Sequence, residues 1–414
     1  MSEQVELAER LTLDLCDFET LDKSPEILER LEVLLADFLI CVASANRISK
    51  NKSLLKRDGA IGLAAYLASQ SAYEDKDDLD WSAINHPGSV VFGSALATTF
   101  TFPEIRKNFL RSALAGMRAS ASVAHFFGPG HRKRWHITAT AGTFGAVSAA
   151  SAALGFDQAR AKHAFHLAGT NMGGIGEVSR ELQGTPRFNR AAAAALGVTS
   201  TLAASESVPA IANLWRGDRG LIEVFDLAAV VTENRLIKDG ISTVRVRTFP
   251  ATGFIQSALL GVSRLAESNC APDEELKELV VTVNNGVFPI LNDPAKDRWW
   301  NLQWNCAAAW ASKDPMNLTP APHVEPLVQA RGGDVPLGSA HITGKTSAGT
   351  FELLVDKAPG LELFDPQEIL WRNEKWRSMV GADWKTLVEI AKALVQEHAT
   401  DETWHQLDRF LRGE

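Results

Sequence analysis

The sequence has little of what marks several large classes of protein. Its 414 residues include four cysteines, Cys16, Cys41, Cys270 and Cys306, and no two have Cys-x-x-Cys spacing. Scattered cysteines of this kind indicate neither a disulfide framework nor a zinc site, and they favour a reducing compartment. The net charge is −8, whereas nucleic-acid-binding proteins usually carry a basic excess. We therefore expect no nucleic-acid partner.

Long runs of large apolar residues are also missing. Two uncharged runs, 137–156 and 191–205, consist mainly of Ala, Ser, Thr and Gly rather than Leu, Ile and Phe. A membrane span needs about 20 predominantly apolar residues, so buried helices explain these runs better. The first residues, MSEQVELAERLTLDL, are acidic and amphipathic and do not resemble a signal peptide. We expect a cytoplasmic protein with no membrane partner.

Cofactor motifs are absent as well. The chain has no Walker loop, no dinucleotide fingerprint and no His-Glu-x-x-His pattern, and Gly173-Gly174-x-Gly176 is too weak to indicate a phosphate site. No serine or cysteine has the surroundings of a recognisable nucleophile. The expectation is a protein that needs neither an organic cofactor nor a metal.

Helical periodicity dominates the first part of the chain. Leu28, Leu31, Leu34, Leu35 and Phe38 recur at helical spacing, with charges on the opposite face. A break is expected at Gly128-Pro129-Gly130. Helices are predicted at 4–20, 24–46, 59–72, 89–102, 103–124, 137–156 and 190–205.

The character of the sequence changes near Ile237, where β-branched residues begin to alternate with polar ones. The pattern predicts strands at 242–251 and 279–284, a hairpin of 339–346 and 349–356, and helices at 253–267, 297–311, from 365, 383–397 and 400–412. The predicted fold is therefore mostly α with a second α/β domain. We place the helical domain at 1–245, possibly completed by 383–414, and the smaller domain at 246–382.

The stretch from His131 to Gly174 contains the predicted central helix of the helical domain. Its uncharged part predicts a slender helix that neighbouring helices can approach closely. His136 lies at the entrance of that helix, where unpaired N–H groups favour an anion such as a carboxylate. The alternative is a central packing helix with a satisfied histidine at its start.

A family resemblance appears in this stretch. Trp-His-Ile-Thr-Ala-Thr-Ala-Gly-Thr-Phe-Gly at 135–145 and Ala-Ala-Leu-Gly-Phe-Asp at 152–157 resemble the signature of the MmgE/PrpD family. That family contains 2-methylcitrate dehydratase, cis-aconitate decarboxylase and iminodisuccinate epimerase. The resemblance implies a large all-helical domain, a smaller α+β lid domain, a homodimer and a substrate cleft between the domains. It also implies cofactor-independent removal of a proton next to a carboxylate.

The same resemblance points to acid–base residues. Asp77-Asp78-Leu79-Asp80 followed by Asn85-His86-Pro87-Gly88 is similar to the family's Asp-Phe-Asp-Asp and His-Pro-Ser segments. It implies that His86 transfers a proton, that an aspartate, for which we favour Asp78, orients its imidazole, and that His136 is the second active-site histidine. The alternative is a solvated acidic loop with His86 as a helix cap.

Several family positions are changed. The family's Lys-x-Leu-His corresponds to Pro186-Arg187-Phe188-Asn189, and a second lysine corresponds to Arg247. Phe288 stands where a tyrosine is expected, and Thr252 where a histidine is frequent. Arginine keeps the positive charge but cannot give up its proton. The changes therefore leave carboxylate binding possible and put lysine or tyrosine acid chemistry in doubt.

Arginines are the predicted anion anchors. We expect Arg187, Arg247, Arg190 and Arg180 to bind the substrate carboxylate, with structural salt bridges as the alternative for each. The predicted function is a lyase or isomerase that acts by dehydration, decarboxylation, or epimerisation or isomerisation. The alternative is a catalytically silent binding or scaffold protein that retains the fold and a ligand pocket.

Overall fold

The structure is a computed structural model that describes residues 3–48, 58–178, 185–227, 236–269, 275–293 and 300–412. Its internal contacts divide the chain into two compact units. The first comprises Met1–Tyr73, Asp77–Val244 and Val380–Glu414, and the second comprises Glu74–Lys76 and Arg245–Met379. The fold is mostly α with a smaller α/β part, which confirms the predicted fold class.

Helices account for most of the described residues. In chain order they are α1 Glu3–Leu15, α2 Pro25–Ile48, α3 Gly59–Ser71, α4 Pro87–Thr101, α5 Phe109–Arg132, α6 Ile137–Ala153, α7 Gln158–Gly169, α8 Thr185–Ser205, α9 Leu221–Val224, α10 Gln256–Asn269, α11 Phe288–Leu291, α12 Leu302–Ser312, α13 Pro366–Val380, α14 Trp384–Val395 and α15 Asp401–Arg412. Short 3₁₀ turns lie at Phe18–Thr20, Tyr73–Asp75, Pro103–Asn108, Gly253–Ile255, Glu325–Leu327 and Gly381–Asp383.

Strands are few and concentrated in the second unit. They are β1 Leu79–Asp80, β2 Val244–Arg245, β3 Leu276–Asn284, β4 Val328–Gly333, β5 Ala340–Thr346 and β6 Thr350–Val355. The last four form one sheet in the order β4-β3-β5-β6. β3 pairs in parallel with β4 and antiparallel with β5, and β5 pairs antiparallel with β6.

The centre of the first unit is α6, in which every residue from Ile137 to Ala153 is buried. It packs against α4, α5, α7 and α8. Small residues make these approaches possible. An ideal Cβ added to Gly197 on α8 would lie 2.3 Å from the Cβ of Ala146, and one on Gly116 of α5 would lie 3.0 Å from the Cβ of Ala149. The prediction of a slender, closely surrounded helix is confirmed.

The predicted break at Gly128-Pro129-Gly130 is present as a kink inside α5. Gly128 adopts φ 70° and ψ −178°, which departs from helical geometry and kinks the chain just before Pro129. The chain therefore changes direction before it reaches the first residues of α6.

The second unit is built on the four-stranded sheet. Leu279, Val281 and Val283 alternate on the buried face of β3, and α10 packs against β5 and β6. The predicted hairpin is confirmed, since β5 and β6 pair antiparallel with Lys345 opposite Thr350.

The predicted strand at 242–251 is largely wrong, because only Val244–Arg245 has strand geometry. The side-chain amide of Gln256 explains the difference. Its Oε1 accepts hydrogen bonds from the N–H groups of Thr248 and Phe249, and its Nε2 donates to the carbonyls of Phe249 and Ala251. A side chain thus pairs backbone groups that a neighbouring strand would otherwise pair.

Among the residues that the structure describes, no helix has both the length and the apolar character needed to cross a membrane.

Candidate active site

His86 lies at the start of α4 and is held by the loop that precedes it. The loop narrows at a backbone bridge between Asp80 and Asn85, whose N–H groups donate to each other's carbonyls at 2.7 and 3.2 Å. The Asn85 amide also donates to Ser120 Oγ on α5 at 2.9 Å. These bonds place His86 at the N-cap of α4, directly before Pro87.

The imidazole of His86 has a defined hydrogen-bond partner. Its Nδ1 lies 2.7 Å from the backbone carbonyl oxygen of Asp78. A carbonyl oxygen only accepts, so Nδ1 carries the hydrogen and donates it. In the neutral ring this leaves the lone pair on Nε2. The His86 side chain is 13% exposed, so the site does not completely enclose it.

The Asp78 carboxylate faces the start of α4 rather than the imidazole. Its Oδ2 accepts the Gly88 N–H at 2.9 Å. An ideal Cβ on Gly88 would lie 2.8 Å from Asp78 Oδ1, so only glycine allows this approach. Burial, and then the neighbouring charge of Asp77, raise the pKa of Asp78 to about 7. Asp78 thus orients His86 through its backbone and caps α4 through its side chain.

Asp77 supplies the carboxylate that faces His86. Its Oδ2 lies 4.0 Å from His86 Nδ1 and also accepts a hydrogen bond from Arg190 Nη1 on α8. Asp77 and Arg190 are both buried. A carboxylate at this distance favours the protonated imidazole. Asp78 is the aspartate predicted to orient the imidazole, but the motif contains two adjacent aspartates and no signal that separates them.

His136 occupies the corresponding position at the start of α6, where it is the N-cap. Its backbone N–H donates to the carbonyl of Gly174 at 2.8 Å. The Oγ1 of Thr138, the second residue of α6, accepts the backbone N–H of His86 at 3.2 Å. This bond joins the start of α4 to the start of α6, so the structure brings the regions of the two predicted histidines together.

The surroundings of His136 differ from those of His86. Burial, and then the positive charge of Arg190, lower the pKa of His136 to about 3. The imidazole is therefore neutral across the physiological range. Asn189 Nδ2, from the first turns of α8, lies 3.3 Å from His136 Nδ1. Sequence comparison identified Asn189 as a changed family position, but its contact with His136 was not predicted.

The predicted anion anchors have different environments. Arg190 lies in the cluster with Asp77 and close enough to His136 to affect its pKa. Arg187 donates through Nε to the Ser69 carbonyl at 3.1 Å, and its guanidinium lies 4.7 Å from the centre of the Tyr73 ring. Arg187 is therefore engaged with α3 and the turn that follows it.

The remaining predicted arginines are Arg247 and Arg180. Arg247 belongs to the second unit, where its Nη1 lies 2.7 Å from Asp75 Oδ1. Arg180 lies outside the described residues. Among the residues that are described, no group of three or more His, Cys, Asp or Glu side chains is arranged to hold a metal ion.

Comparison with known protein families places this cluster in a recognised domain. Residues 60–232 match the family model described as the MmgE/PrpD N-terminal domain. The matched range includes His86, His136, Asp77, Arg190 and Asn189. A comparison with curated proteins finds no match.

Proposed function

The chain belongs to the MmgE/PrpD family, and from that premise we propose that it is a cofactor-independent lyase or isomerase. The family includes lyases and isomerases, which supports an enzymatic function. The proposed substrate is a small molecule with a carboxylate, and the proposed reaction begins with proton transfer at the carbon next to it. Dehydration, decarboxylation, and epimerisation or isomerisation are the possible outcomes.

The observation that carries the proposal is the hydrogen bond that joins the starts of α4 and α6, each of which begins at a histidine. Histidine is the commonest side chain in general acid–base catalysis. The reaction needs one group that accepts the proton and one that donates a proton or a hydrogen bond. His86 and His136 are the proposed pair.

Positive charge at the site supports an anionic substrate. The N-terminus of α6 carries a partial positive charge from its helix dipole. Arg190 adds a full positive charge beside His136. A charge that develops on an enolate-like oxygen would be stabilised by such groups. Among the predicted arginines, we propose Arg190 as the main anion anchor.

The test begins with binding and continues with exchange. Di- and tricarboxylates that raise the melting temperature of the protein are incubated with it in D₂O and followed by proton NMR. We expect solvent deuterium to replace a hydrogen next to a carboxylate, and product signals then separate dehydration, decarboxylation and epimerisation. The absence of exchange for every carboxylate that binds would contradict the proposed function.

A second candidate is a binding or scaffold protein without catalytic activity. The observation in its favour is that Arg187 is engaged by Ser69 and Tyr73 at a position where the family has a lysine nearby. This candidate predicts carboxylate binding without deuterium exchange in the same experiment. Exchange that disappears in His86→Gln while the protein stays folded would exclude it.

A further inference from the structure

A contact between Asn189 and His136 separates the roles of the two histidines. Asn189 Nδ2 is an amide nitrogen that carries two hydrogens and has no lone pair to offer. Its partner 3.3 Å away, His136 Nδ1, must therefore provide the lone pair. A neutral imidazole carries a single N–H, so the hydrogen of His136 is on Nε2.

From this geometry we propose that Asn189 is a positioning residue that keeps the proton of His136 on Nε2. His136 is then the group that donates a hydrogen bond or proton to the substrate, and His86 is the group that accepts a proton. The assignment of roles rests on the proposed function, whereas the position of the proton on His136 does not.

The backbone around Gly174 supports the contact. The Gly174 carbonyl accepts the N–H of His136 and so fixes the backbone of that residue. Gly174 has φ +110°, a conformation that favours glycine. An ideal Cβ there would lie 3.1 Å from Asn189 Nδ2 and 3.0 Å from the Cβ of Ala139. The glycine therefore leaves the space in which the amide and the imidazole meet.

The charged and titratable groups around the first turn of α6 are consistent with a neutral His136. Among the described residues they include Arg190 on α8 with its partner Asp77, His86 at the start of α4, and His131 at the end of α5, whose Nε2 lies 2.9 Å from Thr140 Oγ1. The first of these is a positive charge, and the N-terminus of α6 adds a partial positive charge. Both disfavour an imidazolium at His136.

His86 has the opposite arrangement. Its Nδ1 donates to the Asp78 carbonyl, so Nε2 has the lone pair, and the Asp77 carboxylate lies 4.0 Å away. A neutral imidazole with a carboxylate beside it gains a proton more readily than one beside a guanidinium. The two rings therefore present different groups on Nε2: a lone pair on His86 and an N–H on His136.

Nitrogen NMR of the intact protein labelled with ¹⁵N-histidine tests the proposal without a substrate. The His136 signals are assigned by their loss in His136→Gln. We expect an unprotonated Nδ1 and a protonated Nε2 that do not change between pH 5 and 9. In Asn189→Asp, where a carboxylate replaces the amide donor, we expect the proton to appear on Nδ1. A proton on Nδ1 in the unmodified protein, or titration of His136 within this range, would overturn the inference.

An activity measurement then separates positioning from a purely structural role. For any carboxylate that exchanges, we expect Asn189→Leu to lower kcat by roughly 10-fold to 100-fold, by analogy with the loss of partners that orient metal-binding histidines. KM should change much less, because Asn189 does not bind the substrate in this account. A rise in KM at constant kcat would contradict the positioning role. If no carboxylate exchanges but the nitrogen signals are as expected, the proposed function fails and the tautomer assignment stands.

Discussion

The helices α4 and α6 both begin at a histidine, but the charged groups near the two histidines differ. Each helix begins at a histidine N-cap whose side chain makes no capping hydrogen bond to its own helix. At α4, His86 donates to a carbonyl and faces the Asp77 carboxylate. At α6, His136 faces an amide nitrogen and lies beside Arg190.

This difference shows that the residue type alone does not assign an acid–base role. Two imidazoles at equivalent helix positions have different neighbours: the Asp77 carboxylate lies 4.0 Å from His86, whereas burial, and then Arg190, lower the pKa of His136 to about 3. Asp77 and Arg190 form an ion pair with each other. A single buried pair therefore presents its negative end to His86 and its positive end to His136.

The largest expected effect is on catalysis, and it distinguishes the two histidines. We expect His86→Gln to reduce the rate of deuterium exchange by about 10²-fold to 10⁴-fold, the usual contribution of a general base. His136→Gln should reduce the exchange rate less, because the glutamine amide still donates a hydrogen bond. The measurement is exchange by proton NMR, with folding checked by circular dichroism.

His405→Gln provides the control for these variants, since His405 is exposed on α15 and is not part of the site. Its exchange rate should match that of the unmodified protein. Equal reductions of the exchange rate in His86→Gln and His136→Gln would contradict the proposed difference between the two histidines.

The next effect is on stability. Asp77→Asn removes the buried carboxylate that Arg190 contacts, and breaking such a pair costs about 3–5 kcal/mol in the free energy of unfolding. Glu374→Gln is a matched control, because Glu374 pairs with Arg377 on an exposed face and such a pair contributes about 1 kcal/mol or less. Urea unfolding of both variants measures the difference. Equal stability would show that the Asp77–Arg190 pair does not hold the site together.

A smaller effect is expected at the close approach between Gly88 and Asp78. Gly88→Ala places a Cβ 2.8 Å from Asp78 Oδ1, and overpacking of this kind costs about 1–3 kcal/mol. Gly130→Ala is the control, since an added Cβ there meets nothing within 4 Å. A melting temperature of Gly88→Ala equal to that of the control would contradict this account of how α4 begins.

The last prediction concerns the pH dependence of stability. The pKa of Asp78 is raised to about 7, above its value near 3.9 in an unfolded chain. The stabilising contribution of its protonated form is therefore complete below about pH 4 and is lost as the pH rises through about 7. We expect Asp78→Asn to gain stability relative to the unmodified protein between pH 4 and 8, measured by urea unfolding. A relative loss over that interval would contradict a raised pKa.

Much of the helical unit was predictable because its signal is local. The uncharged small-residue run predicted a slender buried helix, and α6 has this character along its whole length. Close packing between helices requires small side chains, so a run of Ala, Gly, Ser and Thr indicates such a helix from the sequence alone. In contrast, the strand predicted at 242–251 failed because Gln256, which lies beyond that segment in the chain, pairs its backbone.

The candidate site was predictable only in part. The motifs indicated His86 and His136, and the structure joins their helices through Thr138. The sequence did not indicate which of two adjacent aspartates faces the imidazole, because the direction of each side chain depends on the turn that holds it. It also did not indicate that Asn189 contacts His136, which is 53 positions away in the chain. Such contacts depend on how α8 packs against α6.

The pH dependence of deuterium exchange by the unmodified protein tests the central claim most directly. The account predicts a rate that rises once, as His86 loses its proton and becomes able to accept one. It then predicts a level rate up to pH 9, because His136 is neutral throughout and keeps its Nε2 hydrogen. A decrease in the exchange rate between pH 6 and 9 that is absent in His136→Gln would contradict the account. It would mean that His136 must be protonated to act.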